Sequence, residues 1–323
     1  MKRAKHTIIM IVDSMRSYKT GRDDRDKLDV LSEISKDCTE FVNCISSAPS
    51  SIMSISSMMS SIPAYNIGLN YMDFFYNSTI FPSFPSIWRE NGYDFRAFLN
   101  ARETRVVFKE LLNPVSKRYY PRNLSDDQKN WSNRTVNDVL ANYLGTTKVS
   151  EPTCFFIWYN IRLDPKTSDE VARGIQLFKD ADIWEDSFFF ITSDHGYLDP
   201  KRGYTPERLK EMGLTHDILV TEDQIKVPLC LWYPGIPIQQ IETTVASLDI
   251  TPTLLEYFDF KYPPDSIFYP RKSGIGKSDS DHMVAVEGEI QVGCHFYLKD
   301  KSFSLYPDFQ SGGLIDITDY KSG

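Results

Sequence analysis

The sequence of 323 residues has few cysteines, few histidines and no long apolar run. Its five cysteines are odd in number and show no CxxC spacing, which favours buried free thiols in a reducing compartment over a disulfide framework. The apolar run at residues 7–12 is too short for a membrane span or a signal sequence. We therefore expect a cytoplasmic protein with no membrane segment.

Basic clusters are also missing, and the formal net charge is −8. This balance argues against nucleic acid as a partner. The hydrophobic content of 41% and the aromatic content of 13% argue against disorder. An acidic protein that handles anions has to concentrate positive charge locally, and a bound metal ion is one way to do so.

Four short apolar segments lack the alternation of half-exposed strands, which is typical of strands covered on both faces. They are residues 7–12, 154–160, 187–193 and 227–233. Helical patterns lie between them, at residues 27–36, 85–91, 168–184 and 251–258. This alternation predicts an α/β fold with a mostly parallel sheet flanked by helices.

Two further regions differ from this pattern. Residues 112–135 are polar and irregular, which suggests a surface insertion. Residues 283–308 contain short strand-like pieces separated by turn residues, which indicates antiparallel pairing. We expect an α/β catalytic domain at 1–282 and a small C-terminal antiparallel subdomain at 283–323 that packs on it.

Ionisable side chains follow two of the predicted strands. Asp13 ends the first strand, and Asp194 and His195 follow a later one, with Gly196 next to allow a sharp backbone turn. Ligands of open α/β sheets bind beyond the carboxyl ends of the strands. Because oxygen and nitrogen donors together suit Mn, Zn or Mg, the pattern predicts a divalent metal site.

The segment SSAPSSIMSISSMMSSIPA, residues 46–64, has the composition of a linker but the pattern of a helix. Its apolar residues are three or four positions apart, the spacing of an amphipathic helix, at Ile52, Ile55, Met59 and Ile62. Pro49 precedes the helix, and Ser50 or Ser51 is expected at its N-cap. A hydroxyl there lies in the field of unpaired backbone N–H groups, which attract anions and favour an alkoxide. It is therefore a candidate nucleophile.

Taken in chain order, six segments resemble the alkaline phosphatase superfamily, and most closely its sulfatase branch. They are TIIMIVDSMR, APSSIMSISSMMSSIP, WRENGYDFRAF, ITSDHG, THDILVTEDQIKVPLCLWYPG and SLDITPTLLEYF. The resemblance covers most of the chain and implies a three-layer αβα sandwich with a mostly parallel central sheet. It also implies an enzyme whose substrate is an anionic ester, either a small molecule or a glycan-linked group.

The resemblance places the nucleophile on Ser51, with Ser50 and Ser47 as alternative registers. It places the metal ligands on Asp13, Ser51, Asp194 and His195. His216 falls where the family often has an acid/base or substrate-facing histidine. The cofactor expected is one divalent ion, namely Mn, Zn or Mg, with Ca less suited.

Two departures from the family pattern bear on the chemistry. Formylglycine-type sulfatases have Pro and Arg two and four residues after the modified residue, where this chain has Met53 and Ile55. Conversion of the serine to formylglycine is therefore not expected. A segment that often carries His in the family reads YNIRLDPK here, so a second metal is not expected. Asn160 and Lys166, together with Arg16, become candidates to contact the anion.

These residues predict a metal-dependent hydrolase or transferase that acts on phosphate monoesters or diesters through Ser51, with His216 as the acid/base. The alternatives are a sulfuric ester hydrolase and a catalytically inactive sulfatase-like binding protein. Specificity is expected to come from the loops at 64–84, 100–135 and 197–215.

Overall fold

A computed structural model gives the path of the chain. It describes residues 3–17, 29–63, 84–99, 133–160, 166–197 and 220–261, and the backbone of residues 117–119, 283–287, 294–298, 301–307 and 314–319. The strands are β1 (His6–Asp13), β2 (Thr39–Ile45), β3 (Asp94–Phe98), β4 (Lys117–Tyr119), β5 (Thr153–Asn160), β6 (Ser187–Thr192), β7 (Lys226–Trp232), β8 (Gln239–Ile241), β9 (Val245–Ala246), β10 (Met283–Glu287), β11 (Cys294–Leu298), β12 (Lys301–Pro307) and β13 (Leu314–Asp319).

The first nine strands form one sheet in the order β4-β3-β5-β1-β6-β7-β2-β8, with β9 also beside β2. The first five strands in this order, β4, β3, β5, β1 and β6, are parallel to one another. Strand β7 runs antiparallel to both of its neighbours, β6 and β2. The apolar strand β1 therefore lies inside the sheet, between β5 and β6. All eight residues of β1 and all eight of β5 are buried, as expected for strands covered on both faces.

Helices cover both faces of this sheet. They are α1 (Asp29–Ile34), α2 (Ser51–Ser60), α3 (Phe84–Glu90), α4 (Asn133–Thr146), α5 (Thr167–Asp180), α6 (Glu222–Ile225) and α7 (Ile250–Phe258). Ile8, Met10 and Val12 of β1 pack with residues of α1, α4 and α5. The intervening Ile9 and Ile11 pack with residues of α2, α3 and α7. Since successive side chains of a strand point to opposite faces, this division confirms the three-layer αβα sandwich.

The predicted elements are confirmed with small shifts at their ends. The four apolar segments are β1, β5, β6 and β7, and the helical patterns correspond to α1, α3, α5 and α7. The pattern at 168–184 ends earlier, since α5 stops at Asp180 and a separate 3-10 turn covers Trp184–Asp186. The described cysteines are buried free thiols as expected, at Cys38, Cys44, Cys154 and Cys230.

The prediction of a surface insertion at 112–135 is wrong at two places. Strand β4 pairs in parallel with β3 and so belongs to the central sheet. Helix α4 begins at Asn133, whose side chain is buried. Polar residues misled the prediction because Asn133 is buried through hydrogen bonds with β5, which the local sequence does not reveal.

Beyond residue 282, strands β10 to β13 form a separate four-stranded antiparallel sheet, in agreement with the expected antiparallel region. The boundary between 282 and 283 stays a prediction. Among the described residues, no helix has the length and apolar character needed to cross a lipid bilayer.

Helix α5 approaches β5 closely at Gly174. Tyr159 is fully buried, and its Oη donates a hydrogen bond of 2.8 Å to Asn137 Oδ1 on α4. Burial raises the pKa of the Tyr159 hydroxyl, which keeps it protonated as a donor. A β-carbon at position 174 would overlap Tyr159 Oη and lie 3.1 Å from Asn137 Oδ1. Glycine is therefore required here by the close approach of a neighbouring side chain.

The substitution Gly174→Ala should destabilise the protein by about 1–3 kcal/mol, since the added methyl group must displace the Tyr159 hydroxyl. The matched control is Gly145→Ala in α4, where a β-carbon meets nothing within 4 Å. That change should stabilise the helix by up to about 1 kcal/mol. Urea unfolding of both variants measures the difference, and equal stabilities would contradict the packing argument.

A second prediction concerns His6, which is buried in β1. Burial lowers its pKa from 6.5 to about 4, the charge of Lys5 acts in the same direction, and Asp186 opposes it. The unfolded chain binds a proton below pH 6.5 that the native protein does not bind until about pH 4. The free energy of unfolding should therefore fall as the pH is lowered from 6.5 to about 4, by up to about 3 kcal/mol.

His6→Gln removes this titration, so its free energy of unfolding should depend less steeply on pH than that of the parent across the same range. Denaturant unfolding from pH 7 to pH 4 compares the two. Parallel pH profiles would show that His6 does not contribute.

Candidate metal centre and nucleophile

The carboxyl ends of β1, β5 and β6 meet at one edge of the sheet. Asp13 is the last residue of β1 and lies opposite Asn160, the last residue of β5. On the other side, Ile11 lies opposite Thr192, the last residue of β6. Asp194, two residues further on, therefore lies beside Asp13. The parallel pairing brings together two acidic residues that are 181 positions apart in the chain.

Asp13, Asp194 and His195 form a cluster that could hold a metal ion. One ligand atom from each lies within 4.8 Å of the other two. The residues are 7%, 0% and 2% exposed, respectively. Two buried carboxylates this close carry a large desolvation cost unless a cation offsets their charge.

Asp194 shows most directly that the cluster suits a cation. Its Oδ1 accepts a hydrogen bond from the Ser14 backbone N–H at 3.1 Å. Its Oδ2 is buried and accepts no hydrogen bond from any residue that the structure describes. A divalent ion would satisfy this oxygen, and the set of two carboxylates, an imidazole and a hydroxyl suits Mn, Zn or Mg.

Both oxygens of Asp13 are oriented by neighbouring side chains. Oδ1 accepts a hydrogen bond of 2.7 Å from Ser14 Oγ, and Oδ2 accepts one of 2.6 Å from Asn160 Nδ2. Asn133 holds Asn160 in turn, since its Oδ1 accepts from Asn160 N and its Nδ2 donates to Asn160 O. The sequence suggested Asn160 as a contact for the substrate anion, and the structure shows its amide donating to a candidate metal ligand.

Ser14 lies in the left-handed region with φ of 64°. Few residues other than glycine adopt this conformation, and it is often found at functional sites. In this conformation the Ser14 N–H donates to Asp194 while its hydroxyl donates to Asp13. Ser14 was not among the residues predicted for the site, although its place directly after Asp13 was a signal.

His195 presents Nε2 to the cluster. Its Nδ1 lies 2.5 Å from the backbone oxygen of Gly196. A carbonyl oxygen can only accept, so Nδ1 carries the proton and Nε2 of the neutral ring has a lone pair. Nε2 lies 3.4 Å from Asp194 Oδ2 and 3.9 Å from Asp13 Oδ1. The ring is therefore oriented as a metal-binding histidine requires.

Gly196 is needed for a different reason from the one expected. It does not adopt a positive φ, unlike Gly92 and Gly235. Its N–H donates to Gln224 O at 2.6 Å, and a β-carbon would overlap the backbone oxygen of Asp223. The glycine allows the turn after His195 to lie directly against the backbone of α6.

Ser51 contacts this cluster from the first turn of α2. It is the first residue of α2, and Ser50 is the N-cap, with extended φ of −127° and ψ of 145°. Ser51 Oγ lies 3.1 Å from His195 Nε2. In the alternative registers, the hydroxyls of Ser50 and Ser47 are buried and have no hydrogen-bond partner within the described part of the chain. The contact with His195 therefore makes Ser51 the candidate hydroxyl of the site.

The remaining residues predicted for the site are Lys166, Arg16 and His216. Lys166 is exposed at the start of α5, and its role stays a prediction. Arg16 is fully buried, with its guanidinium carbon 4.6 Å from the ring centroid of Tyr197. His216 lies outside the described residues, so its role also stays a prediction.

Comparison with known proteins places this site in a known fold. Residues 165–260 match the Sulfatase family model. A comparison with curated protein sequences found no match. Similar solved structures include a putative sulfatase from Bacteroides thetaiotaomicron, with 12% identity, a TM-score of 0.74, and coverage of 99% of this chain and 86% of that one.

Two other similar structures belong to proteins whose names describe different reactions. The lipoteichoic acid synthase LtaP from Listeria monocytogenes has 15% identity and a TM-score of 0.69, over 99% of this chain and 87% of that one. The phosphonate monoester hydrolase from Silicibacter pomeroyi has 13% identity and a TM-score of 0.69, over 98% and 89%. At these identities the likeness is one of fold.

The chain has the mixed α/β fold of these structures, with a mostly parallel central sheet. The resemblance to the sulfatase family, predicted from the sequence, is confirmed by the family match over residues 165–260. The solved structures share the fold.

If the cluster binds a metal, Asp194→Asn should weaken binding of Mn²⁺ by more than the roughly 10- to 100-fold that loss of an outer-shell partner costs. The amide keeps the shape of the side chain but removes its charge. Asp180→Asn on the exposed end of α5 is the control and should bind Mn²⁺ as the parent does. Calorimetric titration of chelator-treated protein measures both, and unchanged affinity in Asp194→Asn would exclude this centre.

Proposed function

We propose that the chain is a metal-dependent hydrolase or transferase that acts on phosphate esters, with Ser51 as the nucleophile. The single observation that carries the proposal is the position of Ser51 Oγ, 3.1 Å from His195 Nε2 and beside the buried Asp13–Asp194 pair. The ester is expected to be a phosphomonoester or phosphodiester on a small molecule or a glycan.

The residues that would hold the metal are Asp13, Asp194 and His195, with the hydroxyl of Ser51 as a fourth ligand. When bound, a divalent Mn, Zn or Mg ion would favour the deprotonated form of the Ser51 hydroxyl and offset charge on the phosphoryl oxygens. The buried Asp194 Oδ2, which accepts no hydrogen bond from the described residues, supports this assignment.

The first half-reaction transfers the phosphoryl group to Ser51. The Ser51 hydroxyl loses its proton to solvent, and Oγ forms a bond to phosphorus while the bond to the leaving oxygen breaks on the opposite side. The first-turn N–H groups of α2 have no partner within the helix and lie beside the reacting centre, so they can donate to the equatorial oxygens. We assign the proton on the leaving oxygen to His216.

The second half-reaction releases Ser51. A hydroxyl of the acceptor gives its proton to His216, its oxygen bonds to phosphorus, and the bond from phosphorus to Ser51 Oγ breaks. Ser51 Oγ then takes a proton back from solvent, which restores its hydroxyl. Water as the acceptor makes the protein a hydrolase, and a sugar hydroxyl makes it a transferase. Asn160 supports both steps by orienting Asp13, and we keep Lys166 as a candidate contact for the anion.

Phosphoryl transfer fits this serine better than sulfate ester hydrolysis. A sulfated serine would lack the exit that the hydrate of formylglycine provides. The positions of Pro and Arg in the modification motif hold Met53 and Ile55, which are 3% and 0% exposed. Ile55 belongs to the apolar core under α2, where an arginine would lose that packing and bury a charge.

Ser51→Ala should lower kcat/KM for p-nitrophenyl phosphate esters at least about 1,000-fold, the scale of losing a nucleophile, while Mn²⁺ binding is retained. Ser50→Ala, the adjacent alternative register, is the matched control and should keep activity within a few-fold. Full activity in Ser51→Ala would refute the assignment, and loss of activity in Ser50→Ala alone would move the nucleophile by one residue.

The same preparation separates the alternatives. Conversion of Ser51 to formylglycine would lower the mass of its peptide by two hydrogen atoms, and turnover of p-nitrophenyl sulfate would accompany it. A binding protein without activity would turn over neither ester and would contain no metal by elemental analysis.

A further inference from the structure

Two buried serines join the helix of Ser51 to the turn that carries the candidate metal ligands. Ser46 precedes α2, Ser54 lies within it, and both are 0% exposed. Ser54 Oγ donates to the backbone oxygen of Asp194 at 2.5 Å, and Ser46 Oγ lies within hydrogen-bond distance of the same oxygen. The two hydroxyl oxygens are 2.8 Å apart. The backbone oxygen of Asp194 is thus a shared acceptor for both serines.

The acceptors around the two hydroxyls outnumber the hydroxyl protons. Each serine carries one hydroxyl proton. Asp194 O, Ala48 O and the partner hydroxyl all lie within hydrogen-bond distance of Ser46 Oγ. Removing either proton takes a donor away from these buried acceptors, which is unfavourable and favours a shift of the helix.

The other side of the same turn is fixed to β1. Ser193 Oγ donates to Val12 O at 2.7 Å and accepts from Met15 N at 3.0 Å. The Ser14 N–H holds the Asp194 carboxylate. The turn therefore has a defined position in the sheet, and α2 is registered against it through Ser46 and Ser54.

Ser54 lies on the same face of α2 as Ser51, because residues three apart on a helix are neighbours. A hydrogen bond at Ser54 therefore limits rotation and sliding of the first helical turn. That turn places Ser51 Oγ at 3.1 Å from His195 Nε2. A displacement of about 1 Å at a reacting group can cost on the order of 100-fold in rate.

We propose that Ser46 and Ser54 are positioning residues, which hold Ser51 against the Asp194–His195 turn through the Asp194 carbonyl. The inference rests on the proposed role of Ser51 as the nucleophile. It gives a reason for the high serine content of residues 46–57: a small side chain with a hydroxyl permits close approach of helix and turn and links them.

The experiment compares Ser54→Ala with Ser57→Ala. Ser57 lies one turn further along α2, is also 0% exposed, and its Oγ has no hydrogen-bond partner among the residues described. Both variants lose one buried hydroxyl, but only Ser54→Ala loses a bond to the turn. In the Mn²⁺-loaded protein, Ser54→Ala should lower kcat about 10- to 100-fold with little change in KM, whereas Ser57→Ala should stay within twofold.

Two further readouts do not depend on turnover. Crystal structures of the variants should show a longer distance from Ser51 Oγ to His195 Nε2 in Ser54→Ala and an unchanged one in Ser57→Ala. The rate at which a fluorophosphonate labels Ser51, located by peptide mass, should fall in the first variant only. If Ser54→Ala does not fold, Ser46→Ala tests the same link from outside the helix.

Equal distances in the two variants would overturn the inference whatever the activity of the parent protein. Failure of the proposed function has a different signature, since the parent and Ser51→Ala would then be equally inactive while the distances still differ between Ser54→Ala and Ser57→Ala. Equal loss of kcat in both serine variants would indicate a general packing effect and would also overturn the inference.

Discussion

The electrostatic repulsion between Asp13 and Asp194 is the constraint on which the rest of the site depends. Both side chains are buried, and their oxygens lie with His195 Nε2 inside one 4.8 Å cluster. A protein interior tolerates such a pair only when hydrogen bonds and a cation offset the charge. Ser14 and Asn160 supply hydrogen bonds, and an oxygen of Asp194 is left for the cation. The same arrangement includes a serine oxygen, since Ser51 Oγ lies 3.1 Å from His195 Nε2.

The polar groups around this pair form one connected arrangement that reaches well into the fold. Asn133 at the start of α4 holds Asn160 at the end of β5, and Asn160 holds Asp13 at the end of β1. On the opposite side, Ser46 and Ser54 connect α2 to the carbonyl of Asp194. The site therefore takes its geometry from both helical layers of the sandwich, which explains why buried asparagines and serines occur in elements that otherwise pack apolar side chains.

Much of the fold could be predicted because the buried strands β1, β5, β6 and β7 each have a local apolar signature. Strand β2 was not found, because polar residues such as Glu40 interrupt it. Glu40 is buried beside Gln240, and burial raises its pKa. Helix α4 was missed in part because Asn133 and Asn137 give it a polar appearance, although both are buried by hydrogen bonds to β5 or α5. Hydrogen bonds between residues that are distant in the sequence leave no local signal that would predict the burial of a polar side chain.

The sequence by itself indicated which residues form the candidate site: Asp13 ends an apolar strand, Asp194 and His195 come within three residues of the end of another, and Ser51 opens an amphipathic helix. These features depend on periodicity and on strand ends, which are local. Only the tertiary structure decided that β1 lies between β5 and β6, that Asn160 faces Asp13, and that Ser54 shares an acceptor with Ser46. Those relations join residues up to 181 positions apart, and they are set by the order of strands in the sheet and the packing of helices on it.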